Sequence, residues 1–234
     1  MQPHSAVELD NPVWHSLTGP HGHLAEGADV GHGLARRYRP DISVFAALAD
    51  PRDPRAWADL AALIGPGGEA LITGDDVPAP PGWKTPGGPG VQMLATARVA
   101  ADLDPEVVVL GTADVQDMVE LVTRTKPGPF RAGTPLMGTY LGIRRDGRLA
   151  AMAGERMHPE GWTEVSAVAT DPAFRRQGLA GRLVRSGVAG VRARGEQAFL
   201  HAAADNHGAI SVYRALGFEG RRIMAFRGVR APEA

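Results

Sequence analysis

The chain has 234 residues, enough for one large domain or two small ones, each with its own core. Hydrophobic residues make up 44% and charged residues 22%, an ordinary balance for a globular protein. A net charge of −1 leaves no electrostatic footprint for nucleic acid or an anionic membrane, and the lack of cysteine excludes disulfides, thiolate metal sites and a cysteine nucleophile. Pro3, His4, Glu8 and Asp10 stand where a secretory leader needs a basic stretch and then an apolar run. No apolar stretch approaches the ~20 residues of a membrane helix, so a cytoplasmic location is expected. Lys84 and Lys126 are the two lysines among 25 basic residues, an arginine bias that points to a GC-rich bacterial genome.

The first hundred residues read as mixed α/β. Asn11-Pro12 marks a helix start, with proline where a missing N–H does no harm. Asp53-Pro54 repeats the signal, and Trp57, Leu60, Ala61 and Ile64 follow at helical spacing. Gly65-Pro66-Gly67-Gly68 ends that helix, and Glu69–Thr73 reads as a strand. The segment Val77–Gly90 holds five prolines and four glycines, which predicts a long loop, suited to act as a lid over an acceptor. A strand over Val91–Thr96 and a polar connection lead to Asp104-Pro105, where a boundary is placed between residues 1–104 and 105–234.

Beyond it, Glu106–Leu110 reads as a strand and Thr112 or Asp114 as the cap of a helix carrying Val115, Met118, Val119 and Val122 on one face. Thr139–Arg145 and Arg148–Met157 flank Asp146-Gly147, a strong hairpin turn. Trp162–Thr170 is a strand alternating Glu164, Ser166, Val168 and Thr170 on one face with Val165, Ala167 and Ala169 on the other. A loop, a helix, a strand over Ala198–Ala202, another helix and a strand near Arg221–Arg227 complete the order.

The segment from Asp171 to Gly181 carries the most chemistry. A strand ends, Arg175 and Arg176 and then Gly178 form a turn, and a helix starts at once with Leu179, Leu183, Val184, Val188 and Val191. Free N–H groups at a helix start form an anion site, and the helix dipole adds roughly 0.3–1 kcal/mol for a negative group there. Gly178 admits a phosphate close to the backbone, Ala180 is small, and the two arginines add charge. A capped turn with a solvated basic edge accounts for the same residues equally well on local physics.

Arg175-x-x-Gly178-x-Ala180 after a strand and Asp171-Pro172 resembles the pyrophosphate loop of the GNAT N-acetyltransferase superfamily. Asn206 followed by Tyr213-x-x-x-Gly217-Phe218 resembles its second signature, about thirty residues on with a strand between. The likeness runs from the Glu106 strand to the C-terminus and is nearest the FR47-like branch. It implies an α/β fold with a mixed, mostly antiparallel twisted sheet flanked by helices, splayed near Val168–Thr170. The N-terminal region matches no motif; a degenerate second copy is one option for it.

The resemblance also implies roles. Acetyl-coenzyme A would be the cosubstrate, its pantetheine arm paired with the backbone of Val168, Ala169 and Thr170. Its pyrophosphate would rest on the turn of Arg175, Arg176, Gln177, Gly178, Leu179, Ala180 and Gly181. Asn206 would lie near the pantetheine amide, although it is equally a helix cap. Tyr213 would be the general acid that protonates the departing thiolate, a task its ordinary pKa near 10 suits. Glu164, or Glu155 on the neighbouring strand, would be the base for the incoming amine, with a surface-facing strand glutamate as the plainer reading of both. The acceptor would be a primary amine of a small molecule or peptide. The alternative is a non-catalytic acyl-coenzyme A-binding module, which the presence of Tyr213 disfavours. No nucleic acid, membrane or metal is expected, and a homo-oligomer is left open. His21, His23 and His32 could gather on zinc, but a polar loop is the simpler reading.

Overall fold

The computed structural model describes residues 6–75 and 79–233; Pro3, His4, Val77 and Pro78 lie outside them. Contacts group the chain into two compact units. One comprises Met1–Gly90, Met157–Glu160 and Ile223–Ala234, the other Val91–Arg156 and Gly161–Arg222. These units do not coincide with the sequence halves 1–104 and 105–234. The chain's last strand explains part of the difference, because from Ala225 to Arg230 it pairs antiparallel with Gly74 to Glu69.

In the first unit, α1 (Pro12–Leu17) and α2 (Pro54–Ile64) begin where the Asn-Pro and Asp-Pro signals place them. The Asn11 side chain accepts the Trp14 N–H, and Asp53 accepts the Arg55 N–H. Strands β1 (Ala25–Glu26), β2 (Ala35–Tyr38) and β3 (Ala46–Leu48) form an antiparallel sheet. Leu60 and Trp57 of α2 bury against Ala35, Ala46 and Leu48. Strand β4 (Glu69–Gly74) follows. Strand β5 (Gly87–Ala95) starts inside the segment expected to be loop, so Gly87 to Gly90 cannot serve as a free lid. The backbone of the chain's last strand draws it in: the Gly228 N–H donates to Pro86 O, and Lys84 and Arg230 exchange two backbone bonds. Those bonds outweigh the local preference of a Pro/Gly-rich stretch. His21 is buried, its Nδ1 2.9 Å from the Tyr38 hydroxyl, while the His32 N–H donates to Asp59.

The second unit is built on β5 from Val91 onward, β6 (Val108–Leu110), β7 (Tyr140–Arg145), β8 (Arg148–Glu155), β9 (Trp162–Thr170), β10 (Gln197–Ala203) and the start of β11 (Phe218–Arg230). The lateral order is β5-β10-β9-β8-β7-β6. Pairs β6–β7, β7–β8 and β8–β9 are antiparallel and β9–β10 is parallel, a mixed and mostly antiparallel sheet. Helix α3 (Val115–Thr125) lays Met118 and Leu121 on Tyr140, Met152 and Ala169 of one face. Helix α4 (Leu179–Ala193) lays Leu179, Leu183, Val184 and Val188 on Ala151, Ala153 and Val165 of the other. All five apolar positions expected on α4 are buried. Helix α5 (His207–Leu216) ends the run and packs Ile210 and Tyr213 into the α4-side core.

The regular alternation expected along β9 fails at Ala167. That residue has φ 50°, and the β8–β9 register slips between Met152 and Gly154. A bulge puts two residues opposite one and reverses the faces beyond it. Val168 therefore joins Val165 on the α4 side, and Ala167 and Ala169 turn to the α3 side.

Candidate active site

The parallel ladder between β9 and β10 holds only at Trp162–Gln197, Thr163–Ala198 and Glu164–Phe199. From Val165 and Leu200 onward the two strands are not paired with each other, so one edge of β9 is available to an outside partner. The opening begins nearer the start of the strand than Val168, where the sequence places it, and it contains Val168, Ala169 and Thr170.

It leads to the turn of Arg175 to Gly178. Asp171 fixes the turn's root: it is buried, accepts the Ala173 N–H at 3.0 Å and pairs with Arg124 at 3.0 Å. The Ala173 N–H and Arg124 together hold its carboxyl below the usual range against the opposing effect of burial. Arg176 and Gly178 are both left-handed, at φ 63° and 74°. Two such residues around Gln177 turn the chain directly into α4, and no side chain caps that helix. The N–H groups of Leu179, Ala180 and Gly181 are thus left for a ligand. Arg175, Arg176 and Gln177 are exposed, and neither arginine forms an ion pair among the described residues. A Cβ on Gly178 would meet nothing within 4 Å, so a larger side chain there projects into the space a bound anion needs.

Tyr213 packs with Val165, Val168, Leu200 and Ala202, residues of β9 and β10 near the point where their pairing ends. Its hydroxyl has no hydrogen-bond partner among the described residues. Burial, with a smaller push from the Glu164 charge, raises its pKa to about 12, so it stays a phenol at neutral pH. Asn206 caps α5 by accepting the Ala209 N–H at 3.1 Å, and its side-chain amide keeps two donors.

The two candidate bases are separated. Glu155 stands opposite Val165, so its side chain shares the α4 face, whereas Glu164, one residue earlier on β9, points to the other. Glu155 accepts the Thr139 N–H at 3.0 Å and pairs with Arg194 at 2.8 Å, in the wall of an apolar cavity of about 390 Å³ that also touches Leu103, Val109, Leu141 and Gly190. Glu164 is fully buried. Arg156 grips it through Nε at 2.8 Å and a terminal nitrogen at 2.6 Å, and His201 Nδ1 donates at 2.7 Å. Burial alone would raise the Glu164 pKa; Arg156 and His201 outweigh it and hold the carboxylate at about 2.

The network continues beyond His201. Arg221 can only donate, and it does so to Gln92 Oε1 at 2.8 Å. That orients the Gln92 amide nitrogen toward His201 Nε2 at 3.0 Å and leaves the His201 proton on Nδ1, facing Glu164. Sequence reasoning passed over Arg156, His201, Gln92 and Tyr140. The only available hint was a histidine inside the apolar run Ala198–Ala202.

Residues 140–226 match the family described as FR47-like protein. A crystal structure from Novosphingobium aromaticivorans, described as an acetyltransferase of the GNAT family, is 42% identical over 97% of this chain and 98% of its own, with a TM-score of 0.85. The chain belongs to the GNAT family of acetyltransferases. A GCN5-related N-acetyltransferase from Kribbella flavida shares the fold at 20% identity, covering 92% of this chain and 93% of that one with a TM-score of 0.61. Another from Sphaerobacter thermophilus does so at 12% identity, 86% and 78% coverage and a TM-score of 0.51. No curated protein matches the chain. This GNAT protein is an acyltransferase, and among its described residues no helix is long and apolar enough to cross a membrane.

Proposed function

We propose that the protein transfers an acetyl group from acetyl-coenzyme A to a primary amine. The observation that carries this reading is the unpaired edge of β9, which ends at the uncapped start of α4 and has the free Tyr213 hydroxyl packed beside it. The residues fit the donor: strand N–H and C=O groups of Val168 to Thr170 for an amide-bearing arm, and the α4 amides with Arg175 and Arg176 for a pyrophosphate. When bound, the donor supplies a thioester carbonyl and a thiolate leaving group. The N–C bond forms as the C–S bond breaks, the neutral amine's proton goes to water, and Tyr213 gives its proton to sulfur and takes one back from water. Glu164, held at about 2 and engaged on both oxygens, acts as a fixed charge that orients Arg156 and His201 and not as the group that deprotonates the amine. Glu155, engaged by the Thr139 N–H and Arg194, takes no part in this reading.

Thiol release from acetyl-coenzyme A in the presence of a panel of primary amines tests the activity; a panel that gives no release overturns it. Donor binding has its own test at Gly178. Any side chain there is strained at φ 74°, so Gly178→Asn, which tolerates that conformation, serves as the control for Gly178→Glu. The glutamate variant should keep its far-ultraviolet circular dichroism and lose at least ~10-fold in acetyl-coenzyme A affinity by calorimetry, about 1.4 kcal/mol. The asparagine variant should bind nearly as the wild type does. Equal affinity in both would move the pyrophosphate away from this turn.

A further inference from the structure

The loop after α3 and strands β7 to β9 enclose a narrow pocket lined by Phe130, Thr134, Tyr140, Arg156, Ser166 and Ala167, with room for about one water-sized group. Ser166 and Ala167 belong to the stretch of β9 that has left β10, so the pocket lies beside the strand edge proposed to receive the donor. Tyr140 is 1% exposed and its ring lies over Gly154, where a Cβ would come within 2.2 Å of a ring carbon. Its hydroxyl is buried with no hydrogen-bond partner among the described residues, and burial keeps it protonated. A buried hydroxyl without a partner is costly, which points to a ligand group that completes it.

The lining holds no acidic side chain, and three of its polar side chains can donate to a ligand. Arg156 has no acceptor atom, the Tyr140 phenol and the Ser166 hydroxyl can each give a proton, and Thr134 Oγ1 accepts the Arg131 N–H at 2.7 Å. Of the two carboxylates whose charges act on Tyr140, Glu164 has both oxygens engaged by Arg156 and His201, and Glu155 accepts from the Thr139 N–H and Arg194. Among the described residues that line the pocket none is acidic, so it offers no counter-charge to a second ammonium, such as that of a polyamine. Next to the lining residues Pro127 and Phe130 in the chain, Lys126 and Arg131 are exposed and form no ion pair among the described residues.

We propose that this pocket receives a carboxylate oxygen of the acceptor, so that the substrate is an amino acid whose amine faces the β9–β10 opening. The proposal rests on the acetyl-transfer reading above. Tyr140 would then position the acceptor without taking part in proton transfer.

The test compares initial thiol release with a pool of the standard amino acids and with a pool of their decarboxylated amines, in wild type and in Tyr140→Phe, with acetyl-coenzyme A affinity measured by calorimetry for both proteins. The phenylalanine variant loses only a hydroxyl that has no protein partner, so its thermal midpoint should not fall. The amino-acid pool should be favoured in the wild type. For the best amino acid, Tyr140→Phe should raise KM about 10-fold, the worth of one hydrogen bond to a charged group, with kcat and donor affinity unchanged. Equal use of the decarboxylated pool, an equal effect of the variant on both pools, or no thiol release from either while the donor binds would overturn the carboxylate proposal. Failure of the wild type to bind acetyl-coenzyme A would overturn the transfer reading itself, and this proposal with it.

Discussion

Tyr213→Phe should lower kcat by about 10²-fold, about 2.7 kcal/mol of barrier, while acetyl-coenzyme A affinity and thermal stability stay near wild type. The ring keeps its place among Val165, Leu200 and Phe218, and the deleted hydroxyl has no protein partner whose loss would cost stability. General acid catalysis spans roughly 10²–10⁴ in rate, and the low end is expected because a thiol with a pKa near ~8.5 leaves partly unaided. With its pKa raised to about 12, Tyr213 stays protonated across the assay range. The wild-type kcat should therefore show no descending limb from this residue below about pH 10. The measurement is kcat against pH for both proteins with an acceptor found by thiol release. A variant with wild-type kcat at every pH would make Tyr213 a packing residue and leave sulfur to be protonated by water.

The second large effect is on stability. Glu164→Gln should destabilise the fold by roughly 3–5 kcal/mol, because it removes the buried carboxylate that the Arg156 guanidinium, 12% exposed, grips at 2.6 Å. The sign of the pH dependence follows from the lowered carboxyl. Glu164 titrates at about 2 in the folded protein against an ordinary 4.5, so its contribution is fully present above about pH 5 and fades as the pH falls toward 2. That shift corresponds to about 3 kcal/mol. Urea midpoints measured from pH 7 down to pH 3 should fall less steeply for the variant than for the wild type. Asp104, Asp114 and Asp171 are also held low by arginines and backbone N–H groups and remain in both proteins, so the difference between the two curves isolates Glu164. Parallel curves would mean that Arg156 and His201 do not lower its pKa. A folded variant that loses transfer activity far beyond its loss of stability would return Glu164 to the role of base.

Much of the second unit could be read along the chain. The Asp146-Gly147 turn, the apolar face of α4, the Asn206 cap and the turn through Gly178 are each set by residues within a few positions of one another. Local chemistry of that kind, turn dihedrals, capping and helical periodicity, acts before any distant contact forms. The two motifs that mark the family, Arg175-x-x-Gly178-x-Ala180 and Asn206 to Phe218, are local in the same sense. They single out the turn from Arg175 to Gly181 and Tyr213 without any distant contact.

What distant backbone decided was hidden. Gly87 to Gly90 became strand because partners from the last strand, more than 130 positions away, supplied hydrogen bonds that Pro and Gly propensities could not foretell. The bulge at Ala167 reversed the faces of β9, an outcome fixed by its register against β8 and invisible in an alternating sequence. The candidate bases show the same limit. Glu155 and Glu164 look equivalent in sequence, two glutamates on adjacent strands; pairing sends one to the α4 face and buries the other between Arg156 and His201. The charge and protonation of a carboxylate depend on which groups the fold brings within a few ångströms, and only the tertiary structure sets those distances.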